Sequence, residues 1–363
     1  MKIGLLTHYL VNNQGAQLQM LSMCRYLEES GHQVYILTYE KNFDFDKDEK
    51  KKNSASILHF PYYVKEYLFK KGIGLTVFNV RKAMKLKRAL KGLKFQPYDT
   101  GDVDAVIIGS DEVFSIDVGC NKMMYSHGIN APAIAYAPSF GRSTTQLLKE
   151  FGVYELIRDG LENMYMLSAR DIHTQSMIKE MTGRDVPLVC DPALLYGGDS
   201  YYVQIKEIRK KYLLVYSYDR HMIAPDEIDA ILAYAKLKGL ITVSCGTYHR
   251  WCDRNIVCNA EEWYTYFRDA TCVLTDTFHG SVVAMRNHCN FAVFIRESIN
   301  MYKLQSLLNE TDLEDRILPQ ITAKNLRKVF SAGIDYNKVD EKIRKMREHS
   351  EEYLLAALDG VRK

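Results

Sequence analysis

The sequence contains no Cys-x-x-Cys pair, the spacing that many zinc sites and thioredoxin-like redox sites use. Its eight cysteines are isolated, and we interpret them as reduced, mostly buried thiols. His249, Cys252 and Cys258 come nearest to a zinc site, but a second ligand pair is missing, so packing is the favoured interpretation. We therefore expect no metal site.

Long hydrophobic runs are missing as well. The first apolar segment, residues 3–6, is too short for the core of a signal peptide. No later run approaches the roughly 20 residues that a membrane-spanning helix needs. The sequence therefore predicts a cytoplasmic protein, and the inner face of the membrane is a second place at which it would act.

The composition is that of a folded protein. Apolar residues make up 47% of the 363 residues and charged residues 26%, far from the composition of disordered chains. A chain of this length exceeds what one hydrophobic core usually supports, so two domains are expected. No recognised nucleic-acid-binding module is present, so nucleic acid is not an expected partner.

Strand-like apolar runs alternate with helical patterns, which is typical of parallel βαβ units. The pattern predicts first-half strands at 2–8, 33–38, 103–109, 134–139, 164–169 and 186–190, with a helix at 15–30. It predicts second-half strands at 212–217, 240–245, 271–275 and 291–295, with helices at 225–238, 260–268 and 336–358. We place a first domain at 1–200, a second at 201–335 and a terminal helix at 336–363.

The most informative segment is LTDTFHG (274–280), in which an apolar strand runs into His279 and then into Gly280 at a helix start. In an open α/β sheet, ligands bind beyond the carboxyl ends of the strands, where the next helix offers N–H groups to an anion. An imidazole there can exchange protons near neutral pH. The residues alone leave open a packing role for His279 between two elements.

Five further segments accompany LTDTFHG in a recognisable order. They are NNQGAQLQ (12–19), GSDEVF (109–114), SARD (168–171), DPALL (191–195) and KLQSLL (303–308). Together they resemble the polysaccharide pyruvyl transferase family, whose segments include Asn-x-Gly-Ala, Gly-Ser-Asp-Gln-Val-Trp, Ser-x-Arg-Glu and Asp-Pro-Thr-Leu-Leu. Glu112 and Phe114 depart from that pattern. The resemblance spans most of the chain.

The resemblance implies an α/β fold of two Rossmann-like αβα domains with a cleft between them, like the GT-B glycosyltransferases. A C-terminal helix that crosses back to the first domain would suit it. The implied activity is transfer of a pyruvyl group from phosphoenolpyruvate to a sugar of a polysaccharide or lipid-linked oligosaccharide, which forms a pyruvate ketal. Phosphoenolpyruvate is then a co-substrate and no cofactor is needed. We assign the acceptor to the first domain and the donor to the second.

For this reaction His279 is the candidate acid, because an imidazole with a pKa of about 6.5 can protonate the methylene carbon of the donor. The donor carries a phosphate and a carboxylate, which favours a guanidinium. Arg170, which matches the family's arginine, is the first candidate for donor binding, and a surface salt bridge is its alternative role. Lys303 is the second cation, followed by Arg296 and Arg250.

Backbone groups are expected to contribute to the predicted site. The 13–16 turn and the helix start at Gly280 and Ser281 are expected to present N–H groups to the donor or the acceptor. Asn13 and Gly15 are assigned to the acceptor.

Three polar side chains complete the prediction. Ser139 is assigned to the acceptor. Asp111 is expected to orient an acceptor hydroxyl or take its proton, with an ordinary helix cap as its alternative role. Asp276 would fix the tautomer of the histidine if it faces the cleft.

One position departs from the family in a way that affects the donor. Well-studied members carry Arg two residues before the histidine, whereas this chain has Thr277. Either Lys303 or another arginine replaces that cation, or the donor differs. Two other functions therefore stay open: a GT-B glycosyltransferase in which His279 contacts a nucleotide sugar, and a non-catalytic protein that binds an anionic glycan.

Basic residues concentrate at 61–94, which holds ten Lys or Arg residues and one acid, Glu66. Lys82 and Lys85 belong to the predicted basic face. The predicted apolar stripe consists of Ala83, Leu86, Leu90 and Leu93. A surface helix with a solvated basic face is the favoured interpretation. The alternative is peripheral contact with acidic lipid headgroups, which would suit a lipid-linked acceptor.

Overall fold

The computed structural model of the protein describes residues 1–40, 72–99, 101–296 and 301–362. Within these residues the chain forms two parallel five-stranded sheets, the first built from the first half of the chain and the second from the second half. This is the α/β architecture that the alternating pattern predicts.

The first sheet is parallel throughout. Its strands are β1 (Lys2–Leu6), β2 (Gln33–Thr38), β3 (Phe95–Pro97), β4 (Ala105–Ile108) and β5 (Ala133–Ala135). They lie in the order β3-β2-β1-β4-β5. The central strand β1 pairs with a neighbour on each side: Ile3 pairs with Val34 of β2 and with Ala105 of β4. β4 and β5 are buried along their whole length, as is typical of parallel strands covered on both faces.

The second sheet repeats this arrangement. Its strands are β6 (Tyr212–Tyr216), β7 (Ile241–Cys245), β8 (Arg254–Ile256), β9 (Cys272–Thr275) and β10 (Phe291–Val293). They lie in the order β10-β9-β6-β7-β8, with Leu214 of β6 paired to Val243 and to Val273. Both sheets therefore have a five-residue, largely buried strand at the centre.

Helices connect the strands and cover the sheets. They are α1 (Gln14–Glu29), α2 (Ile73–Ala89), α3 (Thr145–Glu150), α4 (Tyr154–Glu162), α5 (Ile172–Thr182), α6 (Pro192–Leu195), α7 (Pro225–Leu237), α8 (Ala260–Arg268), α9 (Phe278–Arg286), α10 (Met301–Glu310), α11 (Ala323–Ser331) and α12 (Tyr336–Arg362). None of the helices in the described ranges combines the length and hydrophobicity that crossing a bilayer requires.

Two predicted strands are wrong. Residues 164–169 and 186–190 each form only isolated bridges, at Ile134 with Met166 and at Ala169 with Leu188. Pro187 has no N–H to continue a ladder. In the segment 164–169, the hydroxyl of Ser168 donates to the C=O of Ala135 at 2.8 Å. The remaining predicted strands and helices are confirmed to within a few residues. All eight cysteines are free and buried, in agreement with the sequence.

One hydrophobic core joins the two halves. Leu18 and Met20 of α1 belong to the same buried cluster as Trp263 and Phe267 of α8. The cleft between the sheets is therefore closed at its base by packed helices.

The last helix returns to the first half, as predicted. The hydroxyl of Ser350 in α12 accepts the N–H of Cys190 at 2.9 Å, and the hydroxyl of Tyr353 donates to the C=O of Ala135 at 2.8 Å. The predicted domain limits near residues 200 and 335 stay predictions.

Helix α2 carries the described part of the basic segment, and it reaches the second half of the chain. Lys82 is buried, and its Nζ donates to the C=O of Gly246 at 2.9 Å. Lys85 pairs with Glu262 at 2.6 Å. Ala83 is exposed.

The predicted faces of this helix are therefore partly wrong. Ala83 lies outside the buried stripe and Lys82 lies within it, because the buried face of α2 meets polar backbone groups of the second half. Residues 61–71 lie outside the described residues, so membrane contact through 61–94 stays a prediction.

Candidate active site

Three strand ends deliver side chains to the cleft between the halves. β4 leads to Asp111, β9 leads to His279 in α9, and β1 leads to Asn13 and Gly15 at the start of α1. These are the carboxyl ends of parallel strands, where ligands bind in open α/β sheets.

His279 is the second residue of α9 and is 8% exposed. Its Nε2 lies 3.4 Å from Oδ2 of Asp191. That separation is close enough for electrostatic attraction but too long for a good N–H···O hydrogen bond. Nε2 is buried and has no hydrogen-bond partner among the described residues. The ring can therefore give a proton to a ligand without first breaking a hydrogen bond at Nε2.

The backbone of Gly15 packs directly against the ring of His279. A Cβ at this position would lie 2.5 Å from Cβ, Cγ and Nδ1 of His279. Such separations are sterically forbidden, so only glycine allows α1 to approach the ring this closely. The backbone of Gly15 therefore forms one wall of the space that the imidazole occupies.

The guanidinium of Arg170 lies beside the same carboxylate. Its Nη1 donates to Oδ2 of Asp191 at 3.0 Å and lies 3.5 Å from Oδ1 of Asp111. The side chain is 2% exposed, which excludes the alternative of a surface salt bridge. Its Cζ lies 4.7 Å from the ring centroid of Phe278.

One edge of the Arg170 guanidinium is unused. Nε and Nη2 are buried and have no hydrogen-bond partner among the described residues. These two atoms carry the parallel N–H groups that bind a carboxylate or phosphate bidentately. Each buried donor without a partner costs about 1–3 kcal/mol, and an anionic ligand would remove that cost.

The cations hold both carboxylates in the charged form. Burial alone would raise the pKa of Asp191, but His279 and then Arg170 hold that pKa well below the ordinary carboxyl value. Burial likewise opposes ionisation of Asp111, yet His279, Arg170 and Lys303 together lower its pKa. Asp111 is therefore a stable anion and a weak base.

Lys303 in α10 supplies a second permanent cation. Its Nζ lies 2.5 Å from Oε1 of Glu112. Burial alone would lower its pKa, but Glu112 raises it above the ordinary lysine value. Glu112 replaces the Gln of the family segment, so this departure from the family pattern supplies the partner of Lys303.

Two cavities meet at these residues. One of about 170 Å³ is bordered by His279 and Asp111, and one of about 110 Å³ is bordered by Arg170. Phe278 and Lys303 border both. His279 and Arg170 therefore border adjoining cavities.

Asp276 and Arg296 lie in a separate group. Oδ2 of Asp276 accepts from the hydroxyl of Ser217 at 2.8 Å and lies 2.6 Å from Nδ1 of His221. Arg296 lies between Asp276, at 3.3 Å, and Glu227, at 3.1 Å. The carboxylate that the structure places beside the ring of His279 is that of Asp191, so the tautomer role predicted for Asp276 does not agree with its contacts.

The start of α9 does not present the N–H group predicted for an anion. Thr277 accepts the N–H of Gly280 at 3.0 Å, and the hydroxyl of Ser281 donates to the C=O of Thr277 at 3.1 Å. Thr277 thus has a local role as the helix cap in place of the family's arginine.

The N-terminus of α1 is capped in the same way. Oδ1 of Asn13 accepts the N–H groups of Gly15 and Ala16 at 2.8 and 3.2 Å. Asn13 nevertheless borders the His279 cavity. Ser139 is 1% exposed and donates to Asp171 at 2.7 Å, so it supports the fold and not the acceptor surface.

Two carboxylates near the ring correct the sequence analysis. Asp111 has φ of 72° and begins no helix, which excludes its cap role. Asp191 is missing from the predicted site. It caps α6 through Oδ1, which accepts the N–H of Ala193 at 2.9 Å, while Oδ2 faces Arg170 and His279. The Asp-Pro pair in the sequence is typical of a helix cap. It predicts the role of Oδ1 but not the contacts of Oδ2.

Residues 13–298 match the sequence profile described as Polysaccharide pyruvyl transferase. The chain belongs to this family. It is therefore a transferase, as the order of the short segments predicts. A search of the curated proteins found no match to the sequence.

Solved structures resemble the fold across both halves. A putative UDP-N-acetylglucosamine 2-epimerase from Listeria monocytogenes is 10% identical with a TM-score of 0.51, covering 98% of this chain and 95% of its own. The glycotransferase of kitacinnamycin is 12% identical with a TM-score of 0.51, covering 98% and 97%. Arabidopsis thaliana UGT89C1 complexed with UDP-L-rhamnose is 10% identical with a TM-score of 0.51, covering 97% and 94%. At these identities the likeness concerns the fold alone, which is GT-B-like.

Proposed function

We propose that this member of the family transfers the pyruvyl group of phosphoenolpyruvate to two hydroxyls of a sugar in a polysaccharide or lipid-linked oligosaccharide. The observation that carries the proposal is the buried, unused edge of Arg170 next to His279. A small donor with a carboxylate and a phosphate needs such an edge, a second cation and a proton donor in one place. Lys303 is the second cation.

The reaction begins with proton transfer. Protonated His279 gives the proton on Nε2 to the methylene carbon of the donor, and positive charge develops on the neighbouring carbon. Asp191, 3.4 Å from Nε2, stabilises the protonated ring before this step. Arg170 and Lys303 hold the carboxylate and phosphate of the donor.

The first sugar hydroxyl then attacks the charged carbon, and the neutral ring of His279 takes its proton. Asp111 orients this hydroxyl by accepting its hydrogen bond, a role that suits a carboxylate with a lowered pKa. The second hydroxyl closes the ketal as the bond to the phosphate oxygen breaks. Its proton leaves with the phosphate, so atoms and charges balance.

The test is acceptor-dependent release of phosphate from phosphoenolpyruvate by the purified protein. We expect phosphate release in step with a new ketal methyl signal in the glycan NMR spectrum. Release of nucleoside diphosphate from a nucleotide sugar, with phosphoenolpyruvate untouched, would contradict the proposal and support a glycosyltransferase.

A further inference from the structure

A third cavity adjoins the space in front of His279. It has a volume of about 270 Å³ and lies between the turn before α1, helix α2 and the second half of the chain. Its lining is almost entirely polar and includes Asn12, Asn79, Lys82, Asp219 and Thr247. Asn13, Tyr218 and Thr277 border both this cavity and that of His279. We call it the α2 chamber.

Lys82 is the cation of the α2 chamber. It is 6% exposed, and its Nζ donates to the C=O of Gly246 at 2.9 Å. An ammonium group carries three N–H donors, so this bond leaves capacity for a ligand. Within the described part of the chain the structure gives Lys82 no ion pair.

The cations of the other groups differ from Lys82 in this respect. Arg170 lies against Asp191, Lys303 against Glu112, and Arg296 against Asp276, all within ion-pair distance. A ligand anion that approaches any of them competes with a protein carboxylate. At Lys82 it meets a carbonyl oxygen, which carries no formal charge.

The carboxylate in the chamber is occupied elsewhere. Oδ1 of Asp219 accepts the N–H of Tyr248 at 2.8 Å, and Oδ2 accepts from the amide of Asn79 at 3.3 Å. Asp219 raises the pKa of Lys82, but burial has the larger effect and leaves that pKa below the ordinary lysine value. A buried ammonium that has no ion pair is costly, and a bound anion would lower that cost.

We propose that the α2 chamber is an oxyanion-binding site in which Lys82 binds a phosphate or carboxylate group. The amides and hydroxyls around it suit the remaining oxygens of such a group or an attached sugar ring. The anion belongs to a phosphorylated acceptor when Arg170 and Lys303 hold both anionic groups of the donor, and to the donor when one of those groups binds Lys82 instead. This last step rests on the proposed function, whereas oxyanion binding at Lys82 does not.

The experiment compares Lys82→Met with Lys85→Met by isothermal titration with phosphoenolpyruvate, inorganic phosphate and glucose 1-phosphate. Lys85 is the matched control, because it also ties α2 to the second half, through Val257 and Glu262, but does not border the chamber. We expect Lys82→Met to weaken the binding of at least one of these three ligands about tenfold or more, because one charge-assisted hydrogen bond is lost. Lys85→Met should bind within about twofold of the wild type, and Lys82→Arg should restore most of the affinity.

The ligands distinguish the two sources. A loss for phosphoenolpyruvate assigns the anion to the donor, and a loss confined to phosphate and glucose 1-phosphate assigns it to the acceptor. Equal binding of all three by Lys82→Met and the wild type, no binding by the wild type, or an equal loss in Lys85→Met would overturn the site. A wild type that binds oxyanions through Lys82 but releases no phosphate would overturn the proposed function and leave this site standing.

Discussion

The cleft and the neighbouring part of the second half hold two groups of the same composition: a histidine, an aspartate and an arginine. In the His279 group, Nε2 of the ring stands 3.4 Å from Asp191. In the His221 group, Nδ1 stands 2.6 Å from Asp276. The first separation leaves the ring free to act on a ligand, whereas the second is a short hydrogen bond.

The arginines differ in the same direction. Arg296 bridges two carboxylates, those of Asp276 and Glu227. Arg170 contacts its carboxylates through Nη1, and among the described residues its Nε and Nη2 have no hydrogen-bond partner. Residue type alone therefore does not distinguish the two groups, which differ in the hydrogen-bonding capacity that the protein leaves unused.

The largest expected effect follows from exchanging the two histidines for glutamine. His279→Gln should lower acceptor-dependent phosphate release about a thousandfold, the usual contribution of a general acid. His221→Gln should lower it less than about tenfold, because that ring serves a hydrogen bond within the fold. Circular dichroism should show both variants folded. Equal losses in the two variants would remove the distinction between the groups.

The arginines provide a second contrast. Arg170→Lys should weaken phosphoenolpyruvate binding about a hundredfold, because a point charge cannot form the bidentate contact. Arg296→Lys should bind within about threefold of the wild type. Isothermal titration measures both constants. Unchanged affinity in Arg170→Lys would show that the unused edge does not meet the donor.

Gly15→Ala tests whether ring position matters apart from ring chemistry. The added methyl would lie 2.5 Å from the His279 ring and should displace it, with a loss of about a hundredfold in kcat. Gly333→Ala is the control, because a Cβ there meets nothing within 4 Å. A Gly15→Ala enzyme with normal kcat would mean that the ring tolerates a different position.

The lowered carboxyl pKa values predict acid sensitivity. A carboxyl whose folded pKa is depressed stabilises the fold fully above its unfolded pKa of about 4, and that stabilisation is lost as the pH falls through the folded pKa. Asp191 and Asp111 are two such groups. Asp191→Asn should therefore flatten the dependence of unfolding free energy on pH between about pH 5 and pH 2. Urea titrations measure this, and an unchanged slope would contradict the cause assigned to the shift.

The smallest expected effect concerns Thr277, which lies in the sequence between Asp276 of one group and His279 of the other. Thr277→Ala should lower the unfolding free energy by about 1 kcal/mol through loss of the α9 cap. Thr277→Ser keeps the hydroxyl and should change the stability by only a few tenths of a kcal/mol. If Thr277→Ala is as stable as the wild type, the cap has another partner.

Much of this fold can be predicted from the sequence, because central parallel strands are continuous apolar runs with helices between them. β3 and β8 escape prediction because each has only three residues and none of them is fully buried, so neither forms an apolar run. β5 and β10 are as short, but they are buried throughout and the sequence predicts them. Residues 164–169 show the opposite error: they are apolar, but they pair with the sheet at an isolated bridge. Hydrophobicity reports burial and does not by itself report strand pairing.

The site divides in the same way. His279 and Arg170 can be found because each lies in a family segment, and His279 also follows the end of β9. Asp191 and the contact between Gly15 and His279 depend on pairs of residues far apart in the chain, which no local pattern encodes. The caps of α1 and α9 are predictable from the sequence, since Asn13 and Thr277 are typical N-cap residues and each stands just before its helix.

The return of α12 has a consequence for the order of events on the ribosome. Chains emerge from the amino end at roughly 5–20 residues per second, so β5 and Cys190 are made long before Tyr353 and Ser350, which bond to them. The part of the first half that α12 covers therefore stays uncovered until the second sheet has been synthesised. The contacts of Ser350 and Tyr353 with the first half are therefore among the last that the chain can form during its synthesis.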